Sequence, residues 1–227
     1  KLTRTERFKY LGSYITKDCK LDEELTARIQ AASCAVGRLR TRVFECRDLT
    51  SETKLKVYNQ CVTPLLLYGS ETWTLYRHHI RQLRTIQQRH LRFILNIKWD
   101  HFVTNDEVLE RAKATDIETI LIRNRLRWIG HVARMDDCRP VKKLLFGELA
   151  DGSRHVGRPL LRYKDTIKDI LKRGEVLHCW RHHLDNRPEW RKLIYDVSEK
   201  INDQRKEENK RKREKRHQKR KNAELDK

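Results

Sequence analysis

The sequence predicts a mainly α-helical protein with a small β element at its N-terminus and a basic C-terminal helix or disordered arm. Three observations carry this expectation. The run Phe8 to Ile15, FKYLGSYI, is aromatic and strand-like, and Gly12 removes a side chain where another backbone could come close. Segment after segment of the body then places apolar residues at helical spacing. Beyond Ile201 no apolar residue appears until Ala223, while Gln204 to Lys221 carries eleven Lys or Arg against three Glu.

Taken in order, alternation assigns Phe8, Tyr10 and Tyr14 to one face of the first run and Lys9, Leu11 and Ile15 to the other. Asp18 to Lys20 make a polar turn, and Leu21 begins a helix whose Leu25, Ile29, Ala32, Val36 and Leu39 share a face. Asp48 to Ser51 break that pattern. Thr50 is the N-cap of a second helix, which carries Leu55, Tyr58 and Val62 to about Leu67 despite Pro64. Gly69 and Ser70 punctuate an extended YGSETW segment.

Projected at ~100° per residue, His78 to Leu95 separates into two arcs. Ile80, Leu83, Ile86, Leu91 and Ile94 cluster on one side, and Arg77, Arg81, Arg84, Arg89 and Arg92 on the other. One arc packs while the other tracks phosphates; a merely solvated basic face is the plainer reading. Thr104 to Glu107 form a capping box for a short helix to about Lys113. Asp116 opens a longer one, with Ile117, Leu121, Trp128 and Val132 as core contacts and Arg123, Arg125, Arg127 and Arg134 as positive charge. Arg127 and Trp128 could stack on an exposed base, although a tryptophan at this spacing belongs more often to a core.

After Pro140 a short helix carries Val141, Leu144, Leu145 and Phe146, and Gly147 to Pro159 form a basic loop. Within it Gly157, Arg158 and Pro159 match the core of an AT-hook, but a proline at the first position of the next helix explains them without a ligand. Arg154, Arg158 and Arg162 are candidates for general phosphate contacts. Leu160 to Arg173 form an amphipathic helix with Tyr163, Ile167, Ile170 and Leu171 inward, stopped by Gly174. Asp165 and Asp169 on its outer face alternate with lysines and read as solvated ion pairs. Pro188 starts the last helix, docked through Trp190, Leu193, Ile194, Val197 and Ile201.

A formal charge of +20, from 52 Lys and Arg against 32 Asp and Glu, points to a polyanionic partner. Nucleic acid fits, and on charge alone so does a ribosomal or membrane-surface partner. Nothing approaches the roughly 18 consecutive apolar residues of a membrane span, so a soluble protein without membrane partner is expected. Cys19, Cys34, Cys46, Cys61, Cys138 and Cys179 form no C-x-x-C pair, which suits reduced thiols and a nuclear and cytoplasmic location. His178, Cys179, His182 and His183 include zinc-ligand types, yet a structural site needs four ligands and no second pair stands at ligand spacing. The tail, with Lys210, Arg211, Lys212 and Arg213 consecutive, reads as a non-specific nucleic-acid arm or a nuclear-import signal. Because the first residue is not Met, the chain is read as an excerpt or truncated copy.

Four blocks resemble one family. FKYLGSYI resembles the primer-grip hairpin of reverse transcriptases from non-LTR, LINE-type retrotransposons. Tyr68 to Trp73, YGSETW, looks like a block of their thumb, and Arg125 to Asp137, RLRWIGHVARMDD, like a downstream helical block. Gly152 to Ile167, GSRHVGRPLLRYKDTI, resembles the signature of RTE-like members, followed by Arg187 to Arg191, RPEWR. The resemblance runs from about Phe8 to Arg191, in the family's order.

It implies a primer-grip-like β-hairpin over residues 1–17, a helical thumb-like region over 18–100, a helical connector over 101–203 and a basic tail over 204–227. Phe8, Lys9, Tyr10, Leu11 and Gly12 would then support the primer, and RNA, RNA–DNA hybrid, DNA and the upstream palm and fingers would be the partners. The family's catalytic carboxylates and divalent metals sit upstream of the primer grip, so this chain is expected to hold nucleic acid without being an enzyme alone, with no cofactor, metal or catalytic residue of its own. Met135, Asp136 and Asp137 superficially echo a polymerase Tyr-x-Asp-Asp turn, but they follow a helical pattern after the grip. The alternative function is a domesticated or remnant helical scaffold for protein interactions.

Overall fold

The structure, a computed structural model, describes residues 5–147 and 161–225. It is predominantly helical, with one two-stranded antiparallel sheet among the described residues. Strands β1 (Arg7–Tyr10) and β2 (Ser13–Thr16) pair Phe8 with Ile15 and Lys9 with Tyr14. Leu11 and Gly12 make the turn with φ of 48° and 85°, the left-handed pair that matches strand twist in a two-residue hairpin. This turn reverses the side-chain parity expected from unbroken alternation. Tyr14 therefore shares its face with Lys9, whose ammonium lies 5.6 Å from the ring, and Phe8 stacks on Tyr10 on the opposite face.

The chain divides into two compact units, Lys1–Arg125 with Leu149–Thr166 and Leu126–Glu148 with Ile167–Lys227. In the first, α1 (Asp22–Leu39) buries Leu25, Ala32 and Val36, as its stripe predicts. Thr50 caps α2 (Ser51–Val57), its hydroxyl accepting from Thr53 N at 3.3 Å. A π-helical turn, Tyr58–Val62, then leads into α3 (Thr63–Leu66). A proline in a regular helix would clash with the carbonyl four residues back. The widened turn immediately before Pro64 lets the helical path continue close to the expected end. Gly69 at φ 73° does not open an extended segment; Ser70–Thr72 coil into a 3₁₀ turn and drive Trp73 inward.

Helix α4 (Arg77–Ile94) ends with Asn96 left-handed, Ile97 N donating to Arg92 O at 2.8 Å and Asn96 N to Phe93 O at 3.2 Å. The capping box at Thr104 and Glu107 opens α5 (Asn105–Arg111). Asp116 accepts from Glu118 N at the start of α6 (Ile117–Ala133). Leu83 and Leu91 of α4 are fully buried in one core with Leu25, Tyr58, Leu66, Val108, Ile117 and Leu121.

His90 lies in that core, its ring edge-on to Tyr58 and its Nδ1 3.4 Å from the Tyr58 hydroxyl. Burial, aided by Arg89, pushes its pKa down to about 4 from 6.5. Between those values the folded chain binds fewer protons than the unfolded chain, so stability rises with pH. The contribution is complete above about pH 6.5 and falls as pH drops toward 4, by up to about 3 kcal/mol. Urea midpoints measured from pH 7 to 4.5 should drop more steeply for the wild type than for His90→Gln.

The second unit contains α7 (Pro140–Phe146), most of α8 (Tyr163–Arg173) and α9 (Arg187–Leu225), with the divide falling inside α6 and α8. Its buried side chains include Leu126, Ile129, Val132, Ile167, Leu171, Trp180, Trp190, Ile194, Val197 and Ile201. Gly174 follows α8, but the left-handed residue that ends it is Glu175 at φ 62°. Val176 N donates to Leu171 O, and Glu175 N to Lys172 O. Glycine is required at 174 for another reason: an added Cβ would stand 2.7 Å from Val197 Cγ1. The basic C-terminal segment is helical, as an unbroken continuation of α9. No described helix is long and apolar enough to cross a membrane.

Candidate nucleic-acid interface

The hairpin is fixed to α1 by a buried ion pair. Glu24, 4% exposed, accepts from Tyr14 N at 2.6 Å through one oxygen and pairs with Arg28 Nε at 2.6 Å through the other. Arg28 Nη2 donates to Gly12 O at 2.6 Å and to Ser13 Oγ at 3.1 Å, and its guanidinium covers the Tyr68 ring at 4.6 Å. The Tyr68 hydroxyl donates to Leu11 O. The bonds to Tyr14 N, Gly12 O and Leu11 O hold the backbone of the turn and β2, and Phe8, Tyr10, Leu11 and Ile15 are more than half exposed. Lys9 is exposed on the other face. A two-stranded ribbon is marginal alone; here charged hydrogen bonds to α1 make it a rigid projection.

On α4 the structure divides the predicted arginines. Arg77, Arg81 and Arg89 are exposed and make no ion pair among the described residues. Arg84 does not belong with them. It binds Asp116 at 3.1 and 3.2 Å and Glu118 at 2.6 Å. The wheel contained the reason, because at ~100° per residue Arg84 falls between Leu91 and Gln88, both buried. Arg92 donates to Val103 O and Asn105 Oδ1, bracing the segment between α4 and α5.

Arg125 is a second correction. It is 5% exposed and donates to Trp73 O at 3.0 Å, and burial lowers its pKa from the usual arginine value. A guanidinium so placed holds the 3₁₀ turn and offers nothing to a phosphate. Arg123 is half-buried, Arg127 and Arg162 are exposed, and Arg154 and Arg158, with the AT-hook-like tripeptide, lie outside the described residues. Tyr163, beside Arg125 in the same unit, donates to Glu71 O at 2.6 Å, and burial pushes its hydroxyl up to about 12.

The first turn of α4 holds Arg77, His78 and His79 and no acid, which opposes the helix dipole. Asp22 from α1 supplies the missing charge, 3.2 Å from His79 Nε2 and 3.7 Å from His78 Nε2, and these neighbours hold its carboxyl below the usual range. Among the described residues these three are the group close enough to share an ion. The hydrogen bonding fits a proton better than a metal. His79 Nδ1 accepts from Tyr76 N, so the ring hydrogen sits on Nε2 and is donated to Asp22.

In α9, Lys210, Arg211, Lys212 and Arg213 are all exposed, and four consecutive cations at ~100° steps surround the helix axis. Lys212 pairs with Glu208 at 3.4 Å. A helix charged all round has no face to bury against an apolar partner. Sequence reasoning did not find Asp116 and Glu118 as partners of Arg84, since only the fold brings residues so far apart in sequence together. Glu24 and Arg28 did carry a signal, an acid four residues before a base on a helix.

The chain is similar to an uncharacterized transposon-derived protein of Caenorhabditis elegans, 25% identical over 201 residues, which span 85% of this chain and 71% of that protein. No family model matches the chain, and no solved structure does. The similarity supports a transposon-related origin.

Proposed function

We propose that this chain is the thumb and post-thumb connector of a LINE-type reverse transcriptase, and that it holds template–primer duplex and element RNA for an upstream palm and fingers. The observation that carries this reading is the anchored hairpin, with Phe8 and Tyr10 exposed on one face and Lys9 on the other, on a chain of charge +20. Phe8, Tyr10 and the Leu11–Gly12 turn would support the primer backbone. Arg77, Arg81 and Arg89 would follow the duplex phosphates, and the basic part of α9 would add affinity independent of sequence. Work on element RNA and on integrated DNA would require both cytoplasmic and nuclear locations.

The test separates surface arginines from structural ones. Arg77→Gln/Arg81→Gln/Arg89→Gln should leave the urea midpoint unchanged. It should also make the slope of log affinity against log salt for an RNA–DNA hybrid shallower by about 2 to 3. Arg84→Gln should do the reverse: it strands the buried Asp116 carboxylate, costs about 3 kcal/mol of stability and leaves that slope nearly unchanged. Equal slopes for the triple variant and wild type would remove α4 from the interface.

A second reading, a protein-interaction scaffold, is favoured by α7, where Leu144 is 89% and Val141 43% exposed. A scaffold would tolerate loss of the α4 arginines.

A further inference from the structure

Trp99 and Phe102 are 87% and 84% exposed, on the short segment between α4 and α5. Both ends of that segment are fixed. Ile97 and Val103 pack against the core of the first unit, and Arg92 bonds Val103 O at 2.8 Å and Asn105 Oδ1 at 2.9 Å. Between these anchors Trp99–His101 form a 3₁₀ turn, closed by Lys98 N donating to His101 Nδ1. Phe102 follows with φ of 50°.

Left-handed backbone is uncommon for a bulky side chain and costs about 1 kcal/mol or more. Here the left-handed residue closes the turn, Phe102 N donating to Trp99 O at 3.4 Å, while the ring it carries remains 84% exposed. The result is a pair of large aromatic side chains held in water on a braced turn, with Lys98 beside them exposed and without an ion pair among the described residues. Asp100 Oδ1 lies 3.9 Å from His101 Nε2. Exposed aromatic faces beside Lys98, on a chain of charge +20, complement a polyanion whose bases are uncovered. A paired duplex keeps its bases stacked on one another and would meet only the charge.

We propose that Trp99 and Phe102 form a stacking platform for unpaired nucleotides, distinct from the α4 arginines and the hairpin, by which this chain recognises single-stranded nucleic acid. The proposal rests on the nucleic-acid-holding reading given above and assigns the single strand its own surface. Stacking is indifferent to base identity, so the platform would prefer single strands without strong sequence preference.

The experiment compares the full chain with Trp99→Ala/Phe102→Ala and with the conservative Trp99→Phe/Phe102→Tyr. Probes are a single-stranded oligo(dT), an oligo(U) and a blunt DNA duplex of equal length, across a salt series. The alanine pair should lose about 10-fold or more in single-strand affinity, keep the wild-type salt slope and leave duplex affinity unchanged. The aromatic pair should retain most of the affinity. Indole fluorescence should be quenched by oligo(dT) in the wild type and much less in Trp99→Phe/Phe102→Tyr. Equal single-strand affinity for wild type and the alanine pair would overturn the platform while leaving the broader reading intact. A wild type that binds no nucleic acid would remove both. Loss of concentration-dependent self-association in sedimentation, with oligonucleotide binding unchanged, would instead make the rings a protein contact and overturn the proposal.

Discussion

Replacing Gly130 by alanine is expected to destabilise the second unit by about 2 kcal/mol, although alanine is the better helix former. An added Cβ at Gly130 would fall inside the indole of Trp190, so close is the approach of that ring to the α6 backbone. Trp190 is 3% exposed, and its Nε1 has no hydrogen-bond partner among the described residues, so the ring is held there by packing. It is also the first of the buried residues that dock α9, followed by Ile194, Val197 and Ile201. Moving it would disturb the N-terminal end of that stripe, and a packed interior does not absorb an extra methyl without off-rotamer side chains. Gly37 provides the contrast. It lies within α1 with nothing within 4 Å of its Cβ position, so Gly37→Ala should gain about 1 kcal/mol. Chemical denaturation followed by tryptophan fluorescence, with hydrogen exchange of α9 amides, reads both. Opposite signs at the two glycines are the expected result.

The second large effect concerns the tail. Replacing Lys210, Arg211, Lys212 and Arg213 together by glutamine removes four cations from a helix that buries none of them. Each phosphate neutralised releases condensed counterions, so the salt slope for duplex DNA should become shallower by up to about 3.6, that is about 0.9 for each cation. Affinity at low salt should fall about 100-fold, similarly for all sequences, because phosphate contacts carry no sequence information. Stability should barely change: the α9 side chains beyond Ile201 that the structure describes are not buried, and the Glu208–Lys212 pair is exposed. Filter binding or fluorescence anisotropy between 50 and 300 mM salt measures both quantities, and circular dichroism checks that α9 remains helical.

Much of the helical body was legible because its signals are local and repeated. The α1 stripe, the Thr50 cap, the Thr104 to Glu107 capping box and the α9 docking stripe each depend on spacing within one element, and each has its expected counterpart in the structure. The hairpin faces were misassigned because alternation assumes an unbroken strand, whereas Leu11 and Gly12 turn the chain and reverse parity. The YGSETW segment coils because a left-handed Gly69 feeds a 3₁₀ turn, a choice fixed by burying Trp73 and not by propensity.

The candidate interface was less legible. At ~100° per residue a wheel sets Arg84 beside Leu91, on the buried side of α4, but it does not show which acid on another element meets it. Arg84 meets Asp116, and Arg125 meets the Trp73 carbonyl, through contacts distant in sequence. The anchoring of the hairpin by Glu24 and Arg28 is of the same kind, since only the fold brings α1 against the turn. Trp99 and Phe102 escaped notice for the opposite reason: outside any periodic pattern, a sequence does not reveal which aromatic residues remain uncovered.

The most direct test of the central claim is the affinity of the full chain and its tail-neutralised variant for RNA–DNA hybrid, single-stranded RNA and duplex DNA of one length, across a salt series. The account predicts weaker binding and a shallower slope for the variant, with preference for the hybrid over duplex DNA preserved, because the hairpin and the α4 arginines are untouched. Loss of all measurable affinity with the tail charges would contradict it, leaving a helical body that does not itself hold nucleic acid.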